Sequence, residues 1–242
     1  MQYAQKLTFL LLFVGIVKIA NAQSTQEKTR ISGFVDFNVY YDTREFSVLT
    51  YNILANISER LQYFSLTNYQ SAERSFDMGS SYAEHNLRWK IKKKTPLDLT
   101  FQYVLRNGVD NDDFRFGIRW RLNNTPKIDS FLKKLNMSYS FNPMFIEFSR
   151  REAAKFMTII EHVYKINIAP KALNNRLYIG GFIDQNFEYP NTGGILFNWV
   201  SEHQLGVRLF DEFYAVLEYR INDFLPADNY GLGYGIEYNI IF

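Results

Sequence analysis

The chain contains no cysteine among its 242 residues. Disulfides, thiolate metal ligands and thiol nucleophiles are therefore excluded. Proline is scarce, at 6 residues, so few positions deny a sheet its ladder hydrogen bonds. Beyond residue 22 no stretch approaches twenty consecutive apolar residues, which excludes membrane-crossing helices. A strong excess of either charge is also missing. The formal net charge is only +2, and nucleic acid is a poor partner for such a chain.

What is present begins with residues 1–22, which have the form of a secretory signal peptide. Lys6 makes the start positive, residues 7–17 are apolar, and Ala20-Asn21-Ala22 is a small-x-small cleavage site before Gln23. With no cysteine at that site, a lipoprotein is not expected. Cleavage removes Lys6 and Lys18, bringing the 27 Lys+Arg down to the 25 of Asp+Glu, so the remaining domain, 23–242, is formally neutral.

Aromatic residues are abundant at 17% of the chain, with 22 Phe and 17 Tyr. They recur in segments of alternating polarity. In residues 230–242 Leu232, Tyr234, Ile236, Tyr238, Ile240 and Phe242 share one face of a strand, and Gly231, Gly233, Gly235, Glu237 and Asn239 share the other. The same period marks twelve strands, at 31–41, 47–57, 61–69, 83–91, 97–105, 114–122, 135–148, 156–168, 177–187, 199–209, 213–221 and 232–242. Ten to fourteen strands are compatible with the pattern, the weakest point being Pro143, which needs a bulge if 135–148 is one strand. In lipid every backbone polar group must be paired, so strands without apolar helices imply a closed barrel. The expected fold is all-β, a single antiparallel transmembrane barrel. Short turns and longer polar loops alternate along the chain, and an even strand number puts both ends on the short-turn side. One short-turn connection, 125–134, reads as a helix with Thr125 as cap and Ile128, Phe131 and Leu132 on one side.

One face of these strands is apolar and aromatic, as in Phe37, Val39, Leu87, Trp89, Phe101, Tyr103, Trp120, Leu217 and Tyr219. The other carries Glu84, Arg88, Arg115, Arg119, Glu161 and Lys165, followed by Tyr178, Asp184, Glu202, Arg208, Glu218, Arg220 and Glu237. An Arg or Lys at the lipid midplane costs about 2–4 kcal/mol, so this second face belongs inside. There it forms either a ladder of ion pairs that fills the barrel or the charged wall of a pore. Gly231, Gly233 and Gly235 are expected to border open space.

The signal peptide, the amphipathic strands and the terminal Phe242 together resemble the bacterial outer-membrane β-barrels. The resemblance implies a Gram-negative outer-membrane location reached through the periplasm. It implies contact with outer-membrane lipid and lipopolysaccharide, and recognition of the last strand by the barrel-assembly machinery. In length and strand number the chain is similar to the nucleoside-specific (Tsx-type) channels. The function expected on these grounds is porin-like transport of a small polar or charged solute through a narrow charged lumen, with no metal or cofactor. A second expectation is an outer-membrane lipid hydrolase, a phospholipase or lipid A deacylase. Ser201 and His203 share the outward face, though their S-x-H order reverses that family's H-x-S. A closed structural or adhesive barrel is the third. The three histidines, His85, His162 and His203, each follow a glutamate and fall on the lipid-facing side.

Overall fold

The computed structural model describes residues 31–71, 77–107, 112–149, 154–225 and 228–242. Residues 1–22, and parts of four of the longer connections, lie outside that range. Twelve strands form one closed antiparallel ring: β1 (Ser32–Asp42), β2 (Phe46–Asn56), β3 (Leu61–Gln70), β4 (Ser80–Lys90), β5 (Leu97–Arg106), β6 (Asp113–Arg121), β7 (Met137–Ser149), β8 (Ala154–Asn167), β9 (Leu177–Pro190), β10 (Leu196–Phe210), β11 (Phe213–Asn222) and β12 (Tyr230–Ile241). Each strand pairs with its neighbour in sequence, and β1 closes the ring on β12 with Asp36 opposite Asn239. Two backbone hydrogen bonds between Gly33 and Phe242, of 2.8 and 3.1 Å, complete that seam. Closure leaves no open sheet edge.

Alternation along the strands becomes alternation across the wall. On the outside Phe37, Leu87, Trp89, Tyr103, Leu217 and Ile236 are exposed, and between them Asn38, Asn86, Arg88, Gln102, Glu218 and Glu237 are buried. A soluble protein hides its apolar residues; here the apolar set is exposed and the polar set enclosed, as lipid on one side and water or ion pairs on the other require. Hydrogen bonds between strands three places apart confirm which face is interior. Arg119 on β6 reaches Gln62 on β3 at 2.8 Å, and Tyr178 on β9 donates to Glu237 on β12.

Strand β7 is continuous through Pro143, and the bulge that proline demands is present. The β6–β7 register slips between Phe116 and Gly117, leaving Phe145 as the extra residue. Gly117 is required at that slip, because a Cβ there would lie 2.1 Å from the Pro143 carbonyl oxygen.

Three sequence expectations are corrected. Strands β9 and β10 run further than the pattern suggests, to Pro190 and from Leu196, where aromatic pairs such as Phe187–Phe197, with ring centres 5.2 Å apart, extend the hairpin. The helix α1 spans Ile128–Lys134, and Thr125 does not cap it. The hydroxyl of Thr125 instead accepts from Trp120 Nε1 at 2.8 Å, and Lys127, at φ 71°, begins the helix. Leu132 is buried while Phe131 is 60% exposed, so α1 lies against the rim with one apolar contact inward. The glycines of β12 border filled space. Arg44 and Asp42 occupy the position beside Gly231, Tyr40 crowds Gly235, and Gly233 touches both Tyr40 and Glu218.

Candidate functional site: the charged interior

The interior is built from residues two apart on each strand, so a carboxylate and a guanidinium on one strand sit one above the other, and a neighbour on the next strand completes a cluster. On β5 and β6, Asp98 is 1% exposed and binds both Arg119, at 2.5 Å, and Arg121, at 3.0 Å. Above it Asp113 binds Arg106 at 2.5 Å and Arg115 at 3.4 Å. Arg115 also donates to Gln102 at 2.9 Å, Gln102 donates to Glu84 at 2.8 Å, and Tyr82 donates to the same carboxylate. Arg88 lies over the Phe64 ring, 4.7 Å from its centroid.

The opposite wall has its own clusters. Arg220 binds Glu218, approaches Glu202 at 3.5 Å and donates to Tyr40 at 2.7 Å. Glu237 accepts from Tyr178, from Gln204 at 2.5 Å and from Asn239 at 2.6 Å. The ammonium of Lys165 sits 4.1 Å from the Tyr178 ring centre. Asn142 donates to Glu161. Asp184 belongs to the same wall, and its Oδ1 has no hydrogen-bond partner. Arg208 is displaced from these groups, donating to the Asn174 carbonyl at 2.5 Å in the β8–β9 turn.

The interior is nevertheless not filled. Val163 shares the inward phase of Glu161 and Lys165, yet it is 36% exposed. Opposite Lys165, the next inward residue of β8, Gly180 offers no side chain. Towards the rim that holds the start of β1 and the end of β12, a cavity of about 350 Å³ is lined by Lys165, Ser138, Asn136, Asn167 and Asn175.

All the named interior residues except Arg208 therefore join the clusters or line the space between them. Asp98 and Asp113 belong to these clusters as well, although alternation alone did not single them out. The usable signal was the spacing Asp113-x-Arg115, which stacks opposite charges on one face. Among the described residues no group of three or more His, Cys, Asp or Glu side chains is arranged to hold a metal ion.

The outward Ser201 and His203 are held by different neighbours. Ser201 has no exposed surface, and its hydroxyl accepts from Trp199 Nε1 at 3.2 Å. His203 Nδ1 shares a hydrogen bond of 2.7 Å with Tyr164, whose side chain crosses β9 over Gly181. The other two histidines follow the same rule: His85 meets Tyr63 at 2.7 Å and His162 meets Tyr139 at 2.5 Å. These pairs satisfy polar atoms on a face turned to lipid, and nothing in them links serine to histidine as nucleophile and base.

No family model matches the chain, and no curated protein matches it in sequence. Solved structures do match in shape. The KdgM porin superposes with a TM-score of 0.51 at 11% identity, over 85% of this chain and 98% of that one. A second structure of KdgM, in complex with disordered oligogalacturonate, gives 0.50 at 11% identity over the same shares. Both are KdgM and neither is a Tsx-type channel, so the nucleoside-specific resemblance rests on length and strand number alone. What the likeness shows is the fold, and this chain has the closed β-barrel fold of a porin.

Proposed function

We propose that the chain is a bacterial outer-membrane channel that passes small polar or charged solutes along a narrow charged lumen. The observation that carries this reading is the exposure of an inward-facing apolar residue. Val163, at 36%, can be exposed only if unfilled space lies beside it within the wall. The cavity of about 350 Å³ next to Lys165 supports an opening at one rim. The apolar outer band supports a lipid surround, since about 2–4 kcal/mol attends each Arg or Lys turned to the midplane and this wall turns its charges inward. The porin fold adds an analogy of architecture. Under this reading residues 1–22 direct export, the short turns and α1 face the periplasm, and the strand ending in Phe242 is the assembly signal.

The ion-pair clusters line the lumen and narrow it, so filling and passage coexist. Planar-bilayer recording of the refolded protein tests the function. Discrete conductance steps are expected. Their absence from barrels that show heat-modifiable mobility would mean the interior is closed, as a structural barrel requires.

A further inference from the structure

The charges of the lumen are segregated across it. On β4–β6 the inward basic residues are Arg88, Lys90, Arg106, Arg115, Arg119 and Arg121. They outnumber the carboxylates of Glu84, Asp98 and Asp113, which are occupied within the clusters of the same wall. On β9–β12 the balance reverses. Asp184, Glu188, Glu202, Glu218 and Glu237 outnumber Arg208 and Arg220. In the ring of twelve, β5 stands six places from β11, so the basic and acidic walls face one another.

Among the described residues, each wall also keeps an ionisable side chain with no ion-pair partner. Arg88 is met only by the face of Phe64, and its Nε has no hydrogen-bond acceptor. Asp184 Oδ1 has no donor. A field directed from one wall to the other acts on a molecule that carries both signs, and low-dielectric walls focus it. A uniform anion or cation gains from one wall and is opposed by the other. A solute with a carboxylate at one end and an ammonium at the other gains from both when it lies crosswise.

We infer that the channel favours small zwitterions, of the amino-acid or dipeptide class, which cross the waist with the carboxylate towards β4–β6 and the ammonium towards β9–β12. This rests on the channel reading above. The oligogalacturonate bound by KdgM does not carry over, because an acidic chain would run against the carboxylates of β9–β12.

The test is osmotic swelling of liposomes carrying the refolded protein, with glycylglycine as the zwitterion and arabinose as a neutral solute of similar size. Glycylglycine is expected to enter several-fold faster. The double variant Arg88→Gln, Asp184→Asn removes ionisable groups that no ion pair uses, and the ratio of the two rates should fall towards unity. In bilayers the single variants should move the reversal potential in opposite senses, Arg88→Gln towards cations and Asp184→Asn towards anions. Raising KCl around the unmodified protein should erode the glycylglycine advantage without any substitution, a result that does not depend on a variant folding. Equal entry of the two solutes into wild-type liposomes overturns the inference and leaves the channel standing. So does a glycylglycine advantage that survives both high salt and the double variant. No swelling with either solute overturns the channel itself.

Discussion

The histidines of the lipid face are tolerated here because each has a tyrosine partner one or two strands away. His203 and Tyr164 form such a pair across Gly181, and Ser201 is closed off beneath Trp199. Removing one partner leaves the other unsatisfied, at about 1–3 kcal/mol. Tyr164→Phe is therefore expected to lower the unfolding free energy by about that amount, measured by urea unfolding in detergent micelles. The same loss is expected for Tyr139→Phe, which deprives His162 of its 2.5 Å bond. Gly117 represents the opposite situation, where the absence of a side chain is needed. With the Pro143 oxygen 2.1 Å from where a Cβ would stand, Gly117→Ala should cost about 1–3 kcal/mol by the same measurement. Surface pairs behave differently. Lys93 lies 2.5 Å from Glu59 in the exposed β2–β3 turn and holds that carboxyl below its usual value. The stabilisation exists above the ordinary glutamate pKa and is lost as pH falls through the lowered one, but water and salt screen it. Lys93→Ala should raise the Glu59 pKa in an NMR titration and leave the unfolding midpoint unchanged.

Strands carry the charge clusters, and these are the units that hold neighbouring elements in register. Asp98 on β5 serves Arg119 and Arg121 on β6 together, so Asp98→Asn leaves a buried and a half-buried guanidinium side by side. Loss of about 3 kcal/mol is expected, with the double variant Asp98→Asn, Arg119→Gln recovering part of it in a thermodynamic cycle. Much of this was legible from alternation alone, since Glu84, Arg115, Arg119 and Glu218 occupy the phase opposite to Leu87, Phe116, Ile118 and Leu217. The strand ends were less legible. Residues 188–198 read as a polar loop because Pro190 and Asn191 interrupt the pattern, yet aromatic pairing carries β9 to Pro190 and starts β10 at Leu196. Thr125 likewise has the chemistry of a cap, but the Trp120 indole beside it claims the hydroxyl.

The whole ring brings a basic wall and an acidic wall face to face, and the consequence is electrostatic. Any selectivity that comes from this arrangement must fade with salt, because the screening length falls from about 10 Å at 0.1 M to about 3 Å at 1 M. Cation or anion preference introduced by Arg88→Gln or Asp184→Asn is thus expected to be large in dilute KCl and small in molar KCl. The sequence by itself determined the two faces of every strand, the absence of helical spans and the need for a closed ring, because a period of two is a local property and lipid permits no unpaired backbone. It did not determine which charges meet. Arg220 finds Tyr40 on a strand nearly the whole chain away, Arg119 reaches Gln62 three strands off, and the glycines of β12 receive Tyr40, Arg44 and Asp42. Those contacts depend on register and on closure of β1 against β12, which only the tertiary structure decides.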